Sequence, residues 1–192
     1  MNKTAITAAP IMPVLADRWS PRSFDANYKL SQHELLSILE AARWAPSANN
    51  GQPWRFAVVN RGEELFDKVA TEGLSGFNQA WAPKSSTLVI VSIQTKTADG
   101  KENKSAHYDA GLSVSNLVIQ AHELGLHAHQ IGGFVPDALR SILELDEDLS
   151  PIVVVAIGKV APAEQLEGPA YEREIQPRTR LELDEIVLHG KP

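Results

Sequence analysis

Ala45-Pro-Ser-Ala-Asn-Asn-Gly-Gln-Pro-Trp54 is the stretch around which the rest of the chain can be organised. It sets proline, serine, asparagine and glycine between two segments that favour regular structure, so neither segment can run through it. Upstream, Ser31-Gln-His-Glu34 is a capping box, and Leu35, Leu36, Ile38, Leu39, Ala42 and Ala45 follow at helical spacing. This pattern predicts a helix over about 32–44, ended by Pro46. Downstream, Arg55-Phe-Ala-Val-Val59 predicts a short buried strand.

Further out, Glu63 to about Thr71 reads as a helix with Leu65, Phe66, Val69 and Ala70 inward. Ser86–Ile93 is apolar almost throughout, which predicts a strand covered on both faces. The longest helical pattern runs from Ala106 to Leu124 with Gly125 as its stop. Its apolar residues occupy more than one stripe, as in a central helix or one at a subunit interface. Leu126–Ile131 and Pro151–Ile157 read as strands, and Pro136–Leu145 as a short helix with proline at its first position. Residues 1–15 are mixed and read as an arm; residues 159–180 are polar without clear periodicity, and Leu181–Leu188 regain apolar residues. A tail of that kind needs a surface to dock on. The element order gives a three-layer domain of mixed α/β or α+β type.

Composition narrows the chemistry. The chain has 192 residues, enough for one domain, and no cysteine, which removes disulfides, thiolate metal sites and a cysteine nucleophile. No apolar run reaches the roughly 18 residues a membrane span needs, and the N-terminus lacks a signal-like core, so a cytoplasmic protein is expected. A formal charge of −6 argues against a general nucleic-acid binder.

Against this acidic background three basic sites stand out: Arg18-Trp-Ser-Pro-Arg22, Arg178-Thr-Arg180, and Lys84 ahead of a strand. In an extended segment Arg18, Ser20 and Arg22 point the same way and can converge on one anion; Arg178 and Arg180 repeat the geometry. A phosphomonoester dianion suits either pair, although a lone surface arginine is more often an ion-pair partner worth about 0–1 kcal/mol. His127 and His129, with His122 nearby, lack a carboxylate at ligand spacing and read as packing or surface residues; no metal is assigned. Trp44 and Trp54 read as core, with Trp81 open between core and site. Asp99–Lys104 reads as a solvated turn, and Glu144–Asp148 as an exposed acidic helix end.

Taken together, Arg18-Trp-Ser-Pro-Arg-Ser-Phe-Asp25, the loop Ala45–Trp54, Ile131-Gly-Gly-Phe134 and Arg178-Thr-Arg-Leu-Glu-Leu-Asp-Glu-Ile-Val187 resemble the FMN-dependent nitroreductase family, from about residue 14 to 188. The resemblance implies an α+β, three-layer α/β/α fold with a central mixed, mostly antiparallel sheet flanked by helices. It implies one domain over 1–192, with an N-terminal arm (1–13) and a C-terminal arm (160–192) exchanged onto the partner of an intertwined homodimer. It further implies non-covalent FMN at two sites between subunits and a ping-pong reaction. NADH or NADPH would reduce the flavin, and a small electron-poor acceptor such as a nitroaromatic or quinone would reoxidise it.

By the same resemblance Arg18, Ser20, Arg178 and Arg180 hold the FMN phosphate and ribityl chain, with Trp19 beside them. Arg22 lies near the N1/O2 edge of the flavin ring, where a permanently charged guanidinium favours developing negative charge. Pro46, Ser47, Ala48 and Asn50 contact the flavin from the partner subunit, Asn78 faces the pyrimidine ring, and Ile131, Gly132 and Gly133 form a turn whose amide lies near N5. Arg22 and Gly132 are thus tuning groups, and no obligate catalytic acid or base is implied, because hydride chemistry belongs to the cofactor. Two positions depart from the family pattern: Trp81 stands where many members carry a lysine that approaches the pyrimidine edge, and Gly132 replaces a frequent glutamate. The same scaffold also serves dehalogenation, activated-alkene reduction and flavin destruction, and a non-enzymatic FMN carrier or sensor is the rival class.

Overall fold

The computed structural model describes residues 3–190. Four strands form one sheet: β1 Trp54–Asn60, β2 Thr87–Gln94, β3 His127–Ile131 and β4 Leu149–Gly158, in the order β1-β2-β4-β3. All three pairings are antiparallel, so the described sheet carries no parallel pair. The helices are α1 Pro13–Asp17, α2 Gln32–Arg43, α3 Glu64–Lys68, α4 Asn78–Trp81, α5 Ala106–Glu123, α6 Pro136–Ile142, α7 Gly168–Ile175 and α8 Leu183–Ile186.

Strand alternation builds the three layers. Leu88 and Ile90 of β2, with Val154 and Ala156 of β4, face a layer that includes Phe66, Val69, Leu74, Trp81 and Leu139. Val89, Val91, Val155 and Ile157 face the other way, onto Ile38 and Ala42 of α2 and Val114, Leu117 and Ala121 of α5. Each Val, Leu, Ile or Phe side chain among these contributes about 1.5–3 kcal/mol when fully buried, and each alanine less. Between Val91 and Ser92 the β2–β4 register shifts, leaving Ile152 opposite no partner in a bulge.

Local signals set the ends of the two layer helices. The Ser31 hydroxyl accepts the Glu34 amide at 3.2 Å while the Glu34 carboxylate accepts the Ser31 amide at 2.8 Å, closing the capping box. At the end of α5, Gly125 adopts φ +72°, its amide bonds His122 O, and the Leu126 amide bonds Ala121 O. This is a Schellman ending, and glycine takes the left-handed position without the Cβ penalty. Side chains lock the two helices together: Ser113 Oγ donates to Ala42 O at 2.9 Å and Asn116 Nδ2 to Ala41 O at 3.2 Å.

Two expectations need correction and two gain detail. Trp44 is 72% exposed rather than core, because the last turn of α2 faces outward there; its indole N–H bonds Glu40 and Arg43 lies over its ring. Residues 159–180 contain helix α7, whose Ala170 joins the core beside Leu166. The expected helix over 63–71 is α3 continued by a π turn over Val69–Gly73. The segment at 1–15 includes the start of α1, and Ala5 is tied to it by an amide bond to Ala16 O. The stretch assigned to a C-terminal arm therefore divides. Residues 160–176 dock on their own chain, whereas Leu181, Leu183, Ile186 and Leu188 stay exposed.

Candidate cofactor site

The basic segments, far apart in sequence, meet in one cavity of about 220 Å3 lined by Lys3, Arg18, Trp19, Ser20, Arg173, Gln176, Pro177, Arg178 and Arg180. Among the described residues no carboxylate lines it. The Arg18 side chain has no hydrogen-bond or ion-pair partner among the described residues, and burial together with the charges of Arg178 and Arg180 holds its pKa below the ordinary arginine value. Arg178 acts as a brace: its Nη1 donates to Lys3 O and Ala16 O, both at 2.6 Å, joining the two ends of the chain. Lys3 Nζ bonds Gln176 O and lies 5.1 Å from the Trp19 ring centre. Desolvation lowers the Lys3 pKa, Glu174 opposes that, and Arg178 adds to it. Uncompensated guanidinium groups of this kind suit a dianionic oxyanion.

Arg22 does not join Arg18 and Ser20, because the chain bends at Arg22 and the extended alternation ends there. Its guanidinium lies 5.8 Å from the Phe77 ring, over which Arg173 also sits at 4.6 Å. The Arg22 Nε is buried and has no acceptor among the described residues. Burial is the main cause lowering its pKa, with Glu174 opposing and Arg173 reinforcing. Beyond Phe77, Asn78 Nδ2 donates to Gly133 O at 3.2 Å, and Ser75 N donates to the same oxygen at 3.0 Å. A Cβ on Gly133 would stand 2.5 Å from Asn78 Nδ2 and would push that side-chain amide aside. Outside the sheet ladder, neither the Gly132 nor the Gly133 amide donates to a backbone carbonyl among the described residues. Ile131 is buried, which leaves only its backbone to face a ligand.

Histidines pack beneath this face. His129 donates from Nδ1 to the Pro21 carbonyl at 2.9 Å, which fixes the tautomer, and its ring lies 4.6 Å from Trp81. Burial pushes the His129 pKa down to about 4 against that hydrogen bond, with the Arg22 charge adding to the fall. His127 is also pushed down to about 4, by burial first and then by His122 and Arg18. Trp81, left open by the sequence, is fully buried and stacked on Phe24, so it is a core residue. Lys84 reaches Gln165 O and takes no part in the cavity.

The loop holding Pro46, Ser47, Ala48 and Asn50 lies elsewhere. Gln94 N donates to Pro53 O and pairs with Leu149 at the start of β4, whereas Ser20 Oγ reaches Gln130, which pairs with Val155. Six residues of β4 separate the two, roughly 20 Å of strand. The loop is shaped by non-glycine residues in left-handed conformations: Asn49 at φ 51°, Asn50 at 55° and Gln52 at 45°. Gly51 packs closely for a different reason, since a Cβ there would stand 3.1 Å from Ala48 O and the turn would have to ease by a few tenths of an ångström. The Ala48 amide donates at 3.2 Å to Asp109 Oδ2, a buried carboxylate in the first turn of α5. Between the two regions runs a groove of about 600 Å3 along α5, bordered by His107, Gly111, Ser115 and Ile119 and reaching Arg18 and Ser20 at one end.

Residues 15–89 and 71–159 match the sequence model described as the nitroreductase family. The chain belongs to this family. A crystal structure described as an oxidoreductase containing FMN superposes with a TM-score of 0.91 at 34% identity, covering 100% of this chain and 96% of that one. A candidate nitroreductase of Exiguobacterium sibiricum 255-15, solved in complex with FMN, gives 0.77 at 26% identity, covering 95% and 98%. YdgI of Bacillus subtilis (strain 168), named as a candidate NAD(P)H nitroreductase, is 28% identical over 187 residues, covering 78% of this chain and 88% of its own.

Within this nitroreductase-family chain, Arg18, Trp19, Ser20, Arg178 and Arg180 are brought together, and Arg22, Asn78 and Gly133 form an adjoining face. Pro46, Ser47, Ala48 and Asn50 are on neither. Sequence reading missed Lys3, Arg173 and Glu174. Arg173 and Glu174 lie on α7, whose only local signal was Pro169 in a first turn after Gly168; Lys3 carried no signal. Among the described residues no helix is long and apolar enough to cross a membrane.

Proposed function

We propose that this protein is an FMN-dependent oxidoreductase that takes hydride from NADH or NADPH and delivers it to electron-poor acceptors such as nitroaromatics or quinones, in alternating half-reactions. The observation that carries this reading is the cavity of guanidinium groups without a carboxylate, with Arg18 unpartnered beside it. The residues fit FMN at two further points: the orphaned Arg22 Nε seeks an acceptor, and the Gly132–Gly133 turn leaves amides available. Arg18, Ser20, Arg178 and Arg180 would hold the phosphate and ribityl chain, and Arg22 and Asn78 the pyrimidine edge. FMN, when bound, supplies hydride acceptance from the nicotinamide and hydride donation to the acceptor.

The chain's own part is binding, orientation and electrostatics. Arg22 brings a charge that needs no protonation, and the surrounding burial strengthens it. His129, neutral above about pH 4, fixes Pro21 and so the path of the segment carrying Arg22. Trp81 fills the core where a lysine is frequent in the family, and Arg173 sets a second cation near Arg22 from a different element.

The roughly 20 Å between the basic cavity and loop 46–52 supports a homodimer in which each cofactor site takes the cavity from one protomer and the loop from the other. The exposed Leu181, Leu183, Ile186 and Leu188 would then cover the partner. A cytoplasmic location accompanies this reading.

Apoprotein titrated with FMN should quench flavin fluorescence stoichiometrically, and anaerobic NADH or NADPH should bleach the complex. A nitroaromatic or quinone should restore the colour, with parallel double-reciprocal plots. A colourless protein that takes up no FMN would overturn the reading, and inertness towards every nitro compound and quinone would remove the acceptor class.

A further inference from the structure

Glu174 is a buried carboxylate with no role in the reading above. It is 3% exposed and forms no salt bridge among the described residues. Its Oε2 accepts the Arg22 amide at 2.7 Å and its Oε1 the Ser23 amide at 3.1 Å, so one side chain holds two consecutive backbone donors. The helix itself gains nothing from it: Glu174 sits in the last turn of α7, where the macrodipole disfavours negative charge. A buried anion in that position needs compensation, and here it comes from the two amides and from the charges of Lys3 and Arg22.

The two elements it joins are the ones that carry the cations. One side is the segment that sends Arg18 and Ser20 into the cavity and turns Arg22 against Phe77. On the other, α7 carries Arg173 and leads into Gln176, Arg178 and Arg180. The neighbouring bonds reinforce the joint, since Ser23 Oγ donates to Pro162 O at 2.6 Å and Ala161 N donates to Ser23 O at 3.0 Å. We propose that Glu174 is a positioning residue: it sets the backbone from which Arg18 and Arg22 reach the cofactor, and its negative charge beside Arg22 lowers the reduction potential of the bound flavin. This rests on the FMN reading above.

The test separates position from charge. Glu174→Asp keeps the charge but is one methylene short of both amides; FMN should dissociate about tenfold more readily, as expected for a lost charge-assisted hydrogen bond, with the flavin midpoint potential unchanged. Glu174→Gln loses the charge, so the midpoint should rise; its Nε2 donates and cannot accept, so one of the two backbone amides also loses its partner and FMN should weaken alongside. In the folded wild-type apoprotein the Arg22 and Ser23 amides should exchange hydrogen slowly, a measurement that needs no variant to fold. Equal midpoints in wild type and Glu174→Gln, unchanged FMN affinity in Glu174→Asp, or freely exchanging amides would each overturn the proposal while leaving FMN binding intact. A wild-type protein that binds no FMN would overturn the parent reading and the potential claim with it.

Discussion

The basic corner and the loop at 46–52 are built in opposite ways. The corner is held by long-range bonds: Glu174 to Arg22 and Ser23, His129 to Pro21, Gln165 to Phe24 O, and Arg178 across to Lys3 and Ala16. The loop is held mostly by itself, through Gln52 N to Ser47 Oγ and Gly51 N to Ala48 O, with the Ala48–Asp109 bond as its tertiary anchor. Its three left-handed non-glycine residues each cost roughly 1–2 kcal/mol, less for asparagine. The corner is preorganised by its own chain, whereas the loop stores strain around one anchor. Strain of that sort persists only when the surroundings determine it, and it clusters at ligand contacts.

This contrast can be broken most severely at the corner. Replacing Arg18 and Arg180 together by alanine should weaken FMN at least about a hundredfold, since hydrogen bonds to charged groups contribute about 1.5–3 kcal/mol each. Far-ultraviolet circular dichroism should stay unchanged, because neither side chain bonds the core. Retained affinity in a titration would place the phosphate elsewhere.

A pH series sharpens the comparison, because the histidines sit under the corner and not the loop. The unfolded chain binds protons at His127 and His129 near pH 6.5, the folded chain only near about 4. Stability is therefore complete above about 6.5 and falls as pH drops towards 4, by up to about 3 kcal/mol for His129 alone. Denaturant unfolding at pH 7 and pH 5 measures it; His129→Phe should flatten the dependence.

A smaller effect is expected from the loop. Asp109→Ala removes the anchor of Ala48 and should raise the FMN dissociation constant about tenfold, while binding of inorganic phosphate at the corner is unaffected. An equal loss for both ligands would mean that the two regions are not independent. The smallest effect is assigned to Lys96→Ala, which breaks an exposed pair with Asp148 beside the loop and should leave melting temperature and FMN affinity within error.

Much of this architecture was legible because it rests on local chemistry. The capping box of α2, the doubly buried β2 and the glycine stop of α5 each need only neighbours in the chain. Helix α7 was not legible: its eight residues bury only Ala170 and Glu174, so its stability comes from docking rather than periodicity. Trp44 was misjudged because hydrophobicity alone does not say which way the final turn of a helix faces.

Alone, the sequence determined that arginine pairs, a polar loop rich in proline and asparagine and a Gly-Gly turn exist, and through its periodicities where α2, β2 and α5 run. Only the tertiary structure decided that Arg18 and Arg180 share a cavity, that Arg22 leaves them for Phe77, and that the loop lies far along β4. The reason is physical: helix caps and strand alternation are set by interactions over a few residues, whereas convergence of charges depends on contacts more than a hundred residues apart, such as Glu174 to Arg22.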